Sequence, residues 1–250
     1  MKRIAVYSTA GGVGKSFIAA SLASSLFQRG VTVVLCELSS LCLLPIHFGA
    51  GLQTEAETGD ATNGEKQKIH TCSLHQDFTL LTPNTSVPST PAELLVATVR
   101  QANKLHGVNG VIILDIPTNI QFKHNSPLFN IGLEVVSADP VSIATVCNSS
   151  IFSQARNTEH RIANEHYMVV NKKDLRSTLS NDSAIIVENL FGKQLLGNIH
   201  YDSTVPEAFS HKSLVGDYAP QSRAAADINE LAGRIENLIR PQNDTIKDLA

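Results

Sequence analysis

Nine consecutive residues, Ser8-Thr9-Ala10-Gly11-Gly12-Val13-Gly14-Lys15-Ser16, hold the most pointed chemistry in the chain. Glycines at 11, 12 and 14 let the backbone turn its N–H groups toward one point. A lysine and a hydroxyl follow at once. Such a set can hold a polyphosphate. Gly11, Gly12, Val13 and Gly14 cradle the oxygens, the Lys15 ammonium reaches the outer phosphates, and the Ser16 hydroxyl can ligate Mg²⁺. Lys15 is thereby also a candidate catalytic cation. The apolar run Ile4–Tyr7 precedes the loop and a helix is predicted over 15–29. That context adds the unsatisfied donors and partial positive charge of a helix N-terminus. Thr9 stands where the commoner Walker A loop has glycine, so the match is to the Gly-Gly-x-Gly-Lys-Ser variant.

Three further runs end in residues that could serve the same ligand. Val111–Leu114 ends in Asp115, followed by Ile116-Pro117. An acid at a strand's C-terminal edge lies where open α/β sheets bind ligands. Asp115 is a candidate for the Mg²⁺ shell, or a turn residue before Pro117. Val33–Cys36 ends in Glu37, a candidate catalytic acid that could bind Mg²⁺ through water or orient an attacking water, or a plain structural acid. Tyr167–Val170 ends in Asn171-Lys172-Lys173-Asp174. The Asn171 amide can pair with an adenine edge. The four residues also fit an Asn-Lys-x-Asp pattern in which Asp174 would accept from guanine, and they equally suit an exposed charged turn.

These residues must be positioned by a regular framework. Continuous apolar runs at 4–7, 31–36, 78–81, 111–114, 133–136 and 167–170 read as buried strands. Helices are predicted over 15–29, 91–105, 141–157, 183–191 and 221–239. The alternation implies an α/β fold, a single-domain P-loop NTPase with a mostly parallel twisted sheet and helices on both faces. The domain is placed at 1–240, with an insertion over about 51–72 and a polar tail over 241–250. Residues 53–68 hold no large apolar side chain and read as a mobile surface loop.

Composition narrows the classes of partner. The 250 residues are 42% hydrophobic and 17% charged, too apolar for a disordered chain. A net charge of −3 gives no bulk reason for a polyanion-binding surface. The 4 cysteines are too few and too irregular for a disulfide scaffold. His70 and His75 flank Cys72, but a loop setting is expected rather than a metal site. His160 and His166 are expected at a solvated helix end, and Cys36 and Cys42 as buried small hydrophobes. The N-terminal apolar run is broken by Gly11 and Lys15 too soon for a signal peptide. Leu38–Thr54 is too polar for a membrane span. A cytoplasmic protein is expected. Residues 223–250 hold four basic and five acidic side chains. With Ile228, Leu231, Ile235 and Leu238 at helical spacing, that segment predicts a core-facing helix rather than a lipid-binding one.

Gly11–Ser16, Asp115-Ile116-Pro117 and Asn171 together resemble the MinD/ParA branch of P-loop ATPases. The tail is most similar to the BcsQ cellulose-biosynthesis family of that branch. The points of likeness are Ile199-His200-Tyr201-Asp202, His211–Tyr218 and Cys42–Phe48. The resemblance covers nearly the whole chain and implies a last strand in 195–202, a short helix at 205–208 and a lead into the final helix at 215–218. It implies ATP and Mg²⁺ as cofactors, a nucleotide-dependent homodimer and partners associated with a cellulose synthase. Membrane contact would come only through partners, possible recruitment to an inner-membrane secretion machinery included, and no strong DNA signal is present. Cycling ATPase action on membrane or DNA cargo and a GTPase switch are the rival expectations. Three departures matter. Ala10 replaces the branch's signature lysine, Ser39 replaces its second switch acid, and Phe17 replaces a hydroxyl-bearing residue near the α-phosphate. Binding is expected intact and hydrolysis weakened.

Overall fold

The computed structural model describes residues 1–39, 41–50, 69–85, 87, 89–106, 110–118, 128–148 and 163–240. Residues 53–68, His160, Arg161 and the 241–250 tail, all subjects of sequence expectations, lie outside them. The strands are β1 (Lys2–Tyr7), β2 (Val33–Glu37), β3 (Ile69–His75), β4 (Phe78–Pro83), β5 (Val111–Asp115), β6 (Phe129–Ser137), β7 (Ala163–Lys173) and β8 (Leu195–His200). The principal helices are α1 (Lys15–Gln28), α3 (Pro91–His106), α4 (Pro140–Cys147), α5 (Thr178–Phe191) and α8 (Arg223–Ile239). Short helices are α2 (Leu44–His47), α6 (Thr204–Ser210) and α7 (Val215–Tyr218).

The sheet runs β3-β4-β2-β5-β1-β6-β7-β8. Every pairing is parallel except the β3–β4 hairpin at one edge. Side chains alternate across a strand, so each strand feeds two cores. Ile4 and Val6 of β1 point to the face shared with Ile18, Leu22 and Leu26 of α1 and Ile228, Leu231 and Ile235 of α8. Ala5 and Tyr7 point to the other face, with Leu94, Leu95 and Ala102 of α3. Burial on both faces explains why the central strands read as unbroken apolar runs.

Helix starts follow local chemistry. The Thr90 backbone N–H donates to the Glu93 carboxylate at 2.8 Å while Glu93 N–H donates back to Thr90 Oγ1 at 3.3 Å, a reciprocal cap ahead of α3. Ser222 accepts from Ala225 N–H at the start of α8. Helix α5 begins at Thr178, five residues before the expected 183, because Ser177 accepts from Ser180 N–H there. Helix α4 ends at Cys147, within the expected 141–157, and residues 149–162 lie outside the description.

Several expectations need correction. The stretch 69–72, assigned to the insertion, starts β3. That strand pairs on one side only and its side chains are mostly half-buried or exposed, so it lacks the apolar signal of a central strand. His70, Cys72 and His75 therefore sit on an edge strand rather than in a loop, and no group of three potential metal ligands occurs among the described residues. His166 lies within β7, not at a helix end, and its Nδ1 meets the Tyr7 hydroxyl at 3.1 Å. Cys36 is fully buried as expected, whereas Cys42 is only half-buried and takes a left-handed φ of 49°. Burial, with Glu37 nearby, pushes the Cys42 thiol up to about 11, so it is a poor nucleophile. Among the described residues no helix is long and apolar enough to cross a membrane. The α8 stripe packs as expected, and Arg223, Arg234 and Arg240 pair with Asp227, Glu230 and Glu236.

Candidate nucleotide site

Strands β1, β2 and β5 end together on one edge of the sheet, where Glu37 and Asp115 lie side by side in register. The loop after β1 arches over this edge into α1. Gly12 and Gly14 take φ of 72° and 93°, conformations that L side chains rarely adopt. A Cβ on Gly14 would lie 2.3 Å from Asn171 Nδ2. Glycine there is what allows Asn171 to reach past it and donate to the Val13 carbonyl at 2.8 Å.

The expected phosphate and metal residues converge. Ser16 Oγ donates to Asp115 Oδ2 at 2.6 Å, and Lys15 Nζ donates to Thr118 Oγ1 at 3.0 Å. Asp115 is only 3% exposed, and its second oxygen, Oδ1, is buried with no hydrogen-bond partner. Burial raises the Asp115 carboxyl, against the Ser16 hydrogen bond and the Lys15 charge. Burial also lowers the Lys15 ammonium, against the pull of Asp115. Burial thus disfavours both charges, and an anion beside Lys15 or a divalent cation beside Asp115 would each favour the charged form. An orphaned buried carboxylate oxygen beside a serine hydroxyl fits a Mg²⁺ shell. With Ser39 and Thr118 these groups line a cleft of about 570 Å³.

The other expected residues sit differently. Both Glu37 oxygens accept backbone N–H groups, from Leu43 at 2.8 Å and Leu44 at 3.0 Å. Burial outweighs these bonds and lifts its carboxyl to about 7. Glu37 thus braces the segment leading into α2 at the cleft wall. Phe17 packs against the α1-side core. Asp174 is engaged by Arg176, whose Nε and Nη2 donate to its two oxygens at 3.0 Å each. Those bonds hold the Asp174 carboxyl below its ordinary range. Two contacts were not foreseen. Thr118 supplies a partner for Lys15, and the Lys172 ammonium donates to the Gly12 carbonyl at 2.7 Å. Thr118 carries a weak signal in the sequence, a hydroxyl three residues after the strand-end acid. Lys172 carries none beyond its place next to Asn171.

Solved structures with the same fold include the MinD cell division protein of Aquifex aeolicus, 16% identical, with a TM-score of 0.72 over 95% of this chain and 98% of that one. MinD complexed with Mg-ADP from Pyrococcus horikoshii is 16% identical, with a TM-score of 0.66 over 95% and 96%. A ParA family ATPase from Chlorobium tepidum is 16% identical, with a TM-score of 0.64 over 94% and 98%. No curated protein matches the sequence. The family described as cellulose biosynthesis protein BcsQ matches residues 1–235. On that match, and on a loop, strand-end acid and fold of the MinD/ParA kind, the chain belongs to the BcsQ family of MinD/ParA-like P-loop proteins.

Proposed function

We propose that the chain is an ATP-binding accessory protein of bacterial cellulose biosynthesis and secretion, a nucleotide-stabilised scaffold or localisation factor with little hydrolysis of its own. The observation that carries this reading is the Ser16–Asp115 pair with its orphaned Oδ1, set beneath the Gly11–Gly14 cradle in a BcsQ-family chain. The loop N–H groups and Lys15 hold the polyphosphate. Ser16 ligates Mg²⁺ and Asp115 holds its water shell. The metal, when bound, neutralises phosphate charge. Asn171 fixes the loop beside the base, and Asp174 lies further along the same turn. Glu37 sets the cleft wall. Lys15 is the only charged side chain in the loop, and Ala10 and Ser39 add none. That supports binding over turnover. A homodimer with nucleotide between subunits, docking to synthase-associated proteins in the cytoplasm at the secretion machinery, completes the reading.

Saturating Mg-ATP is expected to raise the melting temperature of the wild type, since ligand at about 100 times Kd adds about 2.7 kcal/mol. Lys15→Ala is expected to remove the shift. No shift and no retained nucleotide in the wild type would sink the proposal. Steady-state turnover comparable with that of cycling ATPases would favour the rival ATPase instead.

Asp115→Asn tests the metal assignment. It keeps the shape and one acceptor but loses the charge. The variant is expected to weaken the Mg²⁺-dependent gain in ATP affinity about 10–100-fold, as loss of an outer metal partner does. Titration with and without EDTA checks it, and affinity in EDTA is expected to change little.

A second reading has its own support. Asn171 and Lys172 both bond loop carbonyls, which suits an Asn-Lys-x-Asp site for guanine, although Asp174 is occupied by Arg176. Competition between ATP and GTP separates the two. GTP preference relaxed by Asp174→Ala would establish the GTPase reading.

A further inference from the structure

Strand β7 ends in two residues that grip the phosphate loop in succession. Asn171 Nδ2 takes the Val13 carbonyl and Lys172 Nζ takes the Gly12 carbonyl, at 2.8 and 2.7 Å. These carbonyls belong to consecutive peptide units. The unit that carries the Gly12 oxygen carries the Val13 N–H, and the unit that carries the Val13 oxygen carries the Gly14 N–H. A trans peptide is planar, with its C=O and N–H pointing in opposite directions. Holding both oxygens toward β7 therefore aims the Val13 and Gly14 N–H groups away from it.

Something must hold them. Gly12 and Gly14 have positive φ, and nothing lies within 4 Å of a Cβ on Gly12. Glycine gives a peptide flip little steric resistance there. The two grips are not alike. Asn171 is 4% exposed and locked by its surroundings, with its own carbonyl taken by Ala138 N–H at 2.9 Å. Lys172 is exposed, and its backbone takes φ 58°, a left-handed conformation that is strained for a lysine. That turn bends the chain out of its register with β8 and sends the side chain back over the loop. A strained residue held at a ligand loop is the pattern of a functional constraint.

We propose that Lys172 is a positioning residue for nucleotide. It clamps the Gly12–Val13 peptide so that the Val13 N–H faces the phosphates, and it thereby slows nucleotide release. This rests on the nucleotide-binding reading above. Lys172 acts through the loop, not on the base.

Stopped-flow measurement with a fluorescent ATP analogue tests it on the full chain. Lys172→Ala is expected to raise the dissociation rate about tenfold, the loss of one charge-assisted hydrogen bond. Lys172→Arg, which keeps charge and donors, is expected to restore it. The effect should appear with ATP and ADP and vanish with adenosine, which has no phosphate to be cradled. In the nucleotide-free protein the Val13 and Gly14 amide resonances are expected to be single in the wild type and broadened or doubled in Lys172→Ala. An unchanged dissociation rate with unchanged resonances, or an equal loss for adenosine, would overturn the proposal. A melting shift alone, with unaltered release, would reduce Lys172 to a structural contact. If the wild type binds no nucleotide, the functional reading fails by itself. Unchanged resonances in that case overturn the clamp too, and broadened ones retain the clamped peptide but remove its role in release.

Discussion

Gly14→Ala is expected to weaken nucleotide binding by about 100-fold, equivalent to about 2.7 kcal/mol, and to lower the melting temperature of the free protein. Two separate penalties meet at this position. Alanine at φ 93° is strained whatever space surrounds it, at a cost of about 1–2 kcal/mol. Its Cβ would also lie 2.3 Å from Asn171 Nδ2, so either the loop or the amide must move. If Asn171 moves, the Val13 carbonyl loses its donor and a side chain that is 4% exposed loses its acceptor. An unsatisfied buried amide costs about 1–3 kcal/mol. If the loop moves, the cradle N–H groups no longer converge. Gly30→Ala separates the penalties, because Gly30 also has a positive φ, 81°, yet nothing lies within 4 Å of its Cβ. That variant is expected to lose some stability and to bind nucleotide normally. Equal behaviour of the two variants in calorimetric titration and thermal melts would show that the Asn171 contact does not shape the loop.

Raising the pH from 5 to 7.5 is expected to stabilise Glu134→Gln relative to the wild type, by on the order of a few kcal/mol. Glu134 lies on β6, paired in register with Tyr7 beneath the loop, and is 4% exposed. Burial pushes its carboxyl up from 4.5 to about 7. Between those values the native state holds a proton that the unfolded chain has lost. The contribution is complete below about pH 4.5 and is lost as the pH rises through about 7. Glu37, lifted to about 7 as well, acts with the same sign. His47 opposes both below pH 6.5, because burial lowers its imidazole to about 4 and the unfolded chain binds the extra proton. Comparing variant with wild type cancels Glu37 and His47, which both proteins share. Urea unfolding at pH 5, 6, 7 and 7.5 reads the difference. A stability difference, variant minus wild type, that stays flat or falls as the pH rises would contradict a buried, proton-binding Glu134.

Much of the candidate nucleotide site was legible along the chain because its parts are local. Glycine spacing, a lysine and a hydroxyl after a strand, and an acid closing the Val111–Leu114 run are properties of short segments, and the structure brings Ser16 and Asp115 to 2.6 Å. Other parts were not. Strand β3 escaped notice because an edge strand needs no continuous apolar run. Helix α5 starts five residues early because one serine cap, Ser177, outweighs a polar first turn. The role of Glu37 turned on where residues 43 and 44 pass, six and seven positions later, and no pattern at Glu37 records that.

By itself the sequence determined the α/β class, the order of strand, phosphate loop and helix, the strand-end acids and the inward stripe of α8. These follow from hydrophobic period and from glycine conformational freedom, which act over a few residues. Only the tertiary structure decided which donors and acceptors those residues use. It set Asn171 against Val13, Lys172 against Gly12 and Lys15 against Thr118, and it left Asp115 Oδ1 without a partner. The physical reason is that hydrogen bonds are satisfied through space. Residues 12 and 172 are neighbours only because β6 and β7 are stacked beside β1 in one sheet.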